Sequence, residues 1–321
     1  MKSSVLISSA GRRVELVQAF KDALKILNNG SKVYCTDMQP QLSSACQIAD
    51  GYFKVPRVTE NNYVELLLDI CKVNNIGLVV PTIDTELIVL SKNRQLFENE
   101  GVYVVISDEE LVNKCRDKRK TANLFDELKI EQPLILDRNN LTFPCFCKPY
   151  DGSCSIGAIA IQSKYDLTED QINNPKNMFM ELVPKSYCEY TIDAYYSKDG
   201  NLKCLVPRKR LEVRGGEVSK GITKRNFVYE YLYNKVKSLK GARGCITFQL
   251  FVNEELELIK GLEINPRFGG GYPLTHDSGA NFPQWLISEY LYKVQVGHFD
   301  SWEEDLTMLR YDAKVLVRGN K

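Results

Sequence analysis

The sequence predicts an α/β domain followed by an α+β part. Three observations carry that prediction. Over the first hundred-odd residues, short apolar runs alternate with segments whose apolar residues recur at helical spacing, the order that builds a parallel, doubly wound sheet. From about residue 113 the alternation gives way to strand pairs around polar turns, such as the one at Asp199-Gly200, which imply antiparallel strands. The length, 321 residues, suffices for two or three domains with a substantial core.

In chain order, "SSVLISSA" is a short apolar strand, and "RRVELVQAFKDALKIL" carries Val14, Val17, Leu24 and Leu27 on one helical face. "SKVYCTD" and "GYFKV" read as strands. "NNYVELLLDICKVNN" is helical, "IGLVVPT" a strand, "DTELIVLSKNRQLFENE" a helix and "GVYVVIS" a strand. "VNKCRDKRKTANLFDEL" is a polar amphipathic helix, and "FPCFCKPYDGSCSIGAIAIQ" reads as strand, Gly/Ser loop, strand. "MFMELVP", "YTIDAYYS" and "NLKCLVPRKRLEV" are strands, and "YEYLYNKVKSLKG" a helix. Two long strands, "CITFQLFVN" and "ELIKGLEINPRF", enclose a polar turn, and "NFPQWLISEYLYKV" is a further helix. No internal repeat or low-complexity segment is visible.

Composition excludes several function classes. A net charge of +1 supplies no basic field for nucleic acid or a membrane surface. No apolar run approaches the roughly 18 residues of a spanning helix, and the N-terminus reads as a strand rather than a signal peptide. Ten cysteines without a CxxC pair suit buried free thiols in a reducing cytoplasm. With His276 and His298 the only histidines, chemistry must rest on carboxylates, amides, Lys and Arg.

Parallel sheets bind ligands beyond their strands' carboxyl ends. Those positions are Ser8 to Arg13, Asp37 and Pro81 to Glu86. "SSAGRR" has one Gly where a dinucleotide fingerprint has three. It is either a tight β-to-α turn or an anion site on a helix N-terminus, helped by Arg12 or Arg13.

The segment "LEINPRFGGGYP" places Glu263, Asn265 and Arg267 at i, i+2 and i+4, one face of a strand. Gln249 on the preceding strand falls opposite, since the midpoint of 249 and 263 lies in the turn. Gln249, Glu263 and Asn265 then form one oxygen-donor patch, suited to a cation whose shell is completed by phosphate. Arg267 could neutralise a transferring phosphoryl group. A solvated hairpin face gives the same spacing. Lys148, followed by a loop with Gly152 and Ser153, suits a triphosphate or is an exposed hairpin lysine.

The order Lys118, Lys148, Gly/Ser loop, "MELVP…CEYTIDA", Gln249, Glu263, Asn265, Arg267 resembles the ATP-grasp superfamily, and single modules similar to half of the carbamoyl phosphate synthase large subunit in particular. The resemblance implies a Rossmann-like pre-ATP-grasp domain over residues 1–112 and a two-part ATP-grasp domain over 113–182 and 183–321. It implies ATP with Lys118, Lys148, Gly152 and Ser153 at the phosphates, Glu181, Leu182 and Val183 at the adenine, and Glu189 at the ribose. Gln249, Glu263 and Asn265 would hold Mg²⁺ or Mn²⁺. The implied chemistry is carboxylate activation through an acyl phosphate, with attack by an amine and release of ADP. The implied setting is a cytoplasmic enzyme, a monomer or a homodimer, whose partners are small carboxylates and amines. Where many members carry a carboxylate, Gln249 is neutral, so metal affinity without nucleotide should be weak. No extension for biotin-dependent carboxylation or a second synthetase half is visible, so carbamoyl phosphate synthesis by this chain alone is not expected.

For the substrate, residues 207–225 hold seven basic side chains. They form a solvated edge, or Arg210 or Arg214 clamps a substrate carboxylate. The three glycines, Gly269 to Gly271, would serve a substrate-side turn or close backbone approach, and His276 is a base or a packing residue.

Overall fold

The computed structural model describes residues 2–152 and 156–319. The chain runs β1 (Ser4–Ser8), α1 (Val14–Leu27), β2 (Val33–Asp37), α2 (Ser44–Ile48), β3 (Gly51–Lys54), α3 (Tyr63–Val73), β4 (Ile76–Pro81), α4 (Asp84–Asn99) and β5 (Tyr103–Val104). These strands form one parallel sheet of order β3-β2-β1-β4-β5. Strands β1 and β4 are buried along their whole length, as continuous apolar runs covered on both faces must be. Helix α1 buries Leu16, Val17, Phe20, Ala23 and Leu24 along one stripe.

Next come α5 (Glu109–Arg116), α6 (Lys118–Glu127), β6 (Ile135–Leu136), β7 (Cys145–Pro149), β8 (Ile159–Ile161), α7 (Glu169–Asn173) and β9 (Asn177–Glu181). Strands β6 to β9 form a small antiparallel sheet of order β6-β9-β7-β8. The remaining elements are β10 (Cys188–Tyr196), β11 (Leu202–Arg214), β12 (Glu217–Thr223), α8 (Phe227–Val236), β13 (Gly244–Asn253), β14 (Leu258–Asn265), α9 (Tyr272–Asp277), α10 (Phe282–Leu291) and β15 (Thr307–Leu309). Their strands make a six-stranded sheet of order β14-β13-β10-β11-β12-β15. One continuous apolar core joins Val5, Ile7 and Phe20 to Ile192, Phe248 and Leu286, so the parallel sheet and the larger antiparallel sheet share an interior.

Several expectations shift. The single helix expected over 112–128 is two. Asp117 leaves helical geometry at φ −103°, ψ 114° and its side chain caps the Arg119 N–H, which makes Lys118 the first residue of a new helix. The domain break expected at residue 112 falls inside α5. The expected strand "GVYVVIS" pairs only over Tyr103–Val104, because the chain turns away at Asp108, whose N–H donates to the Gly241 carbonyl. Helix α2, capped by Ser43 on the Cys46 N–H, and helix α9, directly after the glycines, have no counterpart in the sequence reading. Among the described residues nine cysteines are free and eight of them are buried.

Candidate active site

Cross-strand register assembles the polar face of the six-stranded sheet in three rows. Glu263 lies opposite Gln249, Gln249 opposite Thr191, and Thr191 opposite Arg208. One row toward the strand end carrying the glycines, Asn265 faces Thr247 and Thr247 faces Asp193. The third row runs Lys260, Phe251 and Glu189, and the Glu189 carboxylate meets Arg210 on β11. Period two along β13 and β10 puts the three rows on one side, a bulge after Gln249 bringing Lys260 opposite Phe251, while Ile192, Phe248, Leu250 and Ile264 between them are buried. The alternation expected of a site or a solvated face is therefore present. What distinguishes them is what packs against it.

Opposite that face stand the two lysines. Lys118 Nζ lies 3.7 Å from Glu263 Oε1 and donates to the Gly152 carbonyl. Lys148, on β7, is 7% exposed, and its Nζ has no hydrogen-bond or ion-pair partner among the described residues. Burial, then the neighbouring Lys118 charge, push its pKa down to about 8, and Glu263 opposes the shift only in part. Two cations at the mouth of a Gly-containing loop, one of them short of a counter-charge, suit a polyanion. Arg116 joins them by donating to the Asp151 carbonyl at 2.5 Å. A cleft lined by Asp84, Arg116, Lys118, Gly152, Glu263 and Asn265 lies at this point. Ser153 falls outside the described residues.

A second cleft adjoins it, lined by Thr121, Ala122, Phe125, Ile135, Lys148, Met178, Met180 and Leu262. Its walls mix apolar side chains with Lys118, Thr121, Gln132 and Lys148 and come from both antiparallel sheets and α6. Leu182 and Val183 follow β9 as half-buried residues. The Glu181 carboxylate is taken by Lys260 Nζ, 2.7 Å from both oxygens, and by the Leu134 N–H at 3.2 Å. Burial works against the Glu181 charge, yet these bonds outweigh it and leave the pKa lowered. Glu189 is paired with Arg210 at 2.5 Å.

At the opposite end Arg267 spans to the first domain. Its Nε and Nη2 bond the two oxygens of Asp84, the first residue of α4, at 2.8 and 2.7 Å, and Nη2 also reaches Asn265 Oδ1 at 3.3 Å. Burial disfavours the Arg267 charge, but Asp84 and Glu263 outweigh it, so its pKa is raised.

Comparison with known proteins bears on the fold. No curated protein matches the sequence. The profile of the family described as "ATP-grasp in the biosynthetic pathway with Ter operon" matches residues 173–312, and that described as "PylC-like, N-terminal domain" matches residues 5–105. Residues 173–312 match an ATP-grasp family, and the chain as a whole carries the ATP-grasp fold. Similar solved structures include the biotin carboxylase domain of Hydrogenobacter thermophilus 2-oxoglutarate carboxylase, in complex with MgADP, ADP and bicarbonate (TM-score 0.73, 14% identity, covering 95% of this chain and 73% of that one). The N5-carboxyaminoimidazole ribonucleotide synthetase of Thermotoga maritima aligns with TM-score 0.64, 17% identity and coverage of 93% and 77%. The L-amino acid ligase of Bacillus licheniformis aligns with TM-score 0.68, 13% identity and coverage of 90% and 74%.

Within this ATP-grasp fold, Lys118, Lys148, Gly152, Glu263, Asn265 and Arg267 come together, with Gln249 opposite Glu263. The two arginines expected to clamp substrate do not join them. Arg214 lies at the exposed end of β11, paired with the exposed Asp312 at 2.6 Å. Arg210 is held by Glu189 and the Gly216 carbonyl. Both misplacements have one cause: acids distant in sequence neutralise them. His276 packs beside Tyr272 with its Nδ1 buried and unpartnered, and burial lowers its pKa. The glycines are not a left-handed turn. A Cβ on Gly271 would stand 2.4 Å from Arg208 Nη1 and 2.6 Å from Val218 Cγ1, and one on Gly270 2.9 Å from the Glu217 carboxylate carbon. They let the backbone pass over Arg208, itself 1% exposed and bonded at 2.7 Å to Asp193, which also accepts from Thr247 and Thr275. Lys260 and Arg116 are additions that sequence reading missed, while Asp84 lies in the Pro81 to Glu86 stretch expected beyond a parallel strand and gains its Arg267 partner from the fold.

Proposed function

We propose that this ATP-grasp protein is an ATP- and Mg²⁺-dependent carboxylate–amine ligase acting on a small metabolite. The observation that carries the reading is the single track from the cleft between Phe125, Met180 and Leu262, past Lys148 and Lys118, to Glu263, Asn265 and Arg267. The donor set fits a divalent cation bound together with nucleotide: one carboxylate and two amides leave phosphate oxygens to complete the shell. Among the described residues no cluster of three or more His, Cys, Asp or Glu offers a metal site. Gln249, Glu263 and Asn265 would hold Mg²⁺, with Mn²⁺ as an equivalent hard cation. When bound, the ion would neutralise and orient phosphate oxygens.

The remaining work falls to the protein. Lys118 and Lys148 would bind the phosphates, Leu182 and Val183 would border the base, and Glu189 would face the ribose once Arg210 yields it. A substrate carboxylate oxygen attacks the γ-phosphorus, the bond to the β,γ-bridging oxygen breaks, and ADP leaves with that electron pair. Arg267 stabilises the charge on the moving phosphoryl group. The amine nitrogen then attacks the acyl carbon, phosphate departs, and the amine gives up a proton.

A second reading makes bicarbonate the acid, as the carboxylases among the similar structures suggest. Incubation with MgATP decides. ADP release that needs both an organic acid and an amine supports the ligase. ADP release driven by bicarbonate supports a carboxylase, and AMP production excludes both acyl-phosphate routes.

A further inference from the structure

The strand order β3-β2-β1-β4-β5 reverses direction between β1 and β4. In open α/β sheets ligands sit beyond the carboxyl ends of the strands at such a reversal. The loop after β1 ends in Arg13, and the loop after β4 carries Thr82 and leads to Asp84. The two are tied together, since Arg13 Nη2 donates to the Thr82 carbonyl at 3.0 Å. Asp84 in turn grips Arg267 from the other domain. The carboxyl-end loops of β1 and β4 and the Arg267 end of the six-stranded sheet thus meet at one place.

Arg13 has no ion-pair partner among the described residues. The acids near it are engaged elsewhere: Asp84 by Arg267, and Glu217 by Arg310 at 3.6 Å. Burial and the adjacent Arg267 charge push the Arg13 guanidinium down to about 10, the behaviour of a cation lacking a counter-ion. A planar guanidinium with free donors matches a carboxylate edge in a two-bond fork.

We propose that Arg13 is the anchor for the carboxylate to be activated, holding it in the strand-reversal crevice beside Arg267. This rests on the carboxylate-activating reading above, and it gives the first domain the role expected of Arg210 or Arg214. The shared chemistry is a planar carboxylate, whether of an organic acid or of bicarbonate.

Two measurements test it. In the first, ADP release is followed with MgATP, amino acids, short mono- and dicarboxylic acids and bicarbonate, for the wild type and for Arg13→Ala and Arg13→Lys. Loss of a charge-assisted fork should raise the saturation constant for the stimulating acid about tenfold or more in Arg13→Ala. Arg13→Lys should recover part of it, and the KM for ATP should hold within about twofold. An unchanged acid constant overturns the proposal. In the second, wild-type protein saturated with Mg²⁺ and a non-hydrolysable ATP analogue is treated with phenylglyoxal, and modification of Arg13 is read by mass spectrometry. Protection by oxalate supports an organic acid, and protection by bicarbonate alone supports that source. Protection by neither overturns the assignment. If no acid stimulates ADP release in the wild type, the ligase reading falls, while the labelling still decides Arg13.

Discussion

Arg267 and Asp84 are 183 residues apart and form a two-bond fork, Nε to Oδ1 at 2.8 Å and Nη2 to Oδ2 at 2.7 Å. The pair fastens the start of α4 to the end of β14, and so fixes the approach of the two domains where phosphoryl transfer is proposed. It also fixes the guanidinium plane.

The first prediction concerns that plane. Asp84→Asn keeps the shape but loses one charge and one acceptor, leaving Arg267 free to rotate. Misplacement of a group that acts in the transition state costs about tenfold to a hundredfold. That loss should fall on kcat, with the KM for ATP nearly unchanged, since Asp84 does not line the cleft proposed for the base. Steady-state ADP release measures both. A mutant that loses nucleotide affinity and keeps kcat would show that the pair serves docking of the domains instead.

The second prediction follows from Lys148. Its pKa of about 8 in the free protein, against a usual 10.5, means that the buried ammonium is disfavoured. The folded protein binds fewer protons than the unfolded chain between those values, so this lysine's contribution makes stability rise as pH climbs from about 8 to 10.5. Nucleotide binding runs the other way. The cationic form that phosphate needs is present below about 8 and lost above it, so affinity for MgATP should fall as pH rises through that value. Calorimetry in buffers of different ionisation enthalpy should show proton uptake on binding near pH 8. Lys148→Arg should flatten the profile, because guanidinium stays charged.

The third prediction tests the glycines. Gly271→Ala would drive a Cβ against Arg208 and Val218, and overpacking of this kind costs about 1–3 kcal/mol. Gly297, where an added Cβ meets nothing within 4 Å, is the control, and Gly297→Ala should change stability little. Denaturant midpoints compare the two. Equal midpoints would mean that the loop over Arg208 yields freely.

What the sequence disclosed and what it hid divide along physical lines. Periodicity revealed β1, α1, β4 and the β13–β14 hairpin, because each buries one face or both within its own span. The pairing of Gln249 with Glu263 followed from turn arithmetic alone. The split at Asp117 was hidden, since the residues on either side share one amphipathic stripe and only the Asp117 cap separates them. The partners of Arg210, Arg214 and Arg267 were hidden too. Glu189, Asp312 and Asp84 lie 21, 98 and 183 positions away, and nothing local in a sequence announces which acid a cation will meet. The same limit explains Gly269 to Gly271, whose reason is a buried arginine on another strand.

The last prediction addresses the donor row. Glu263 is its one carboxylate, with Lys118 Nζ 3.7 Å away. Glu263→Ala should abolish turnover while leaving the fold intact, because the side chain is half-buried and its loss opens no core cavity. Gln249→Glu should do the reverse to metal binding. Two facing carboxylates bind a hard divalent cation more tightly than one, so Mn²⁺ should associate with the mutant in the absence of nucleotide. Titration of free Mn²⁺ by its electron paramagnetic resonance signal reads this directly, since bound ion disappears from the sharp spectrum. The wild type should show binding only when ADP or ATP is added. If Gln249→Glu gains no nucleotide-independent affinity, Gln249 and Glu263 do not point at a common ion, and the assignment of the row to Mg²⁺ fails with it.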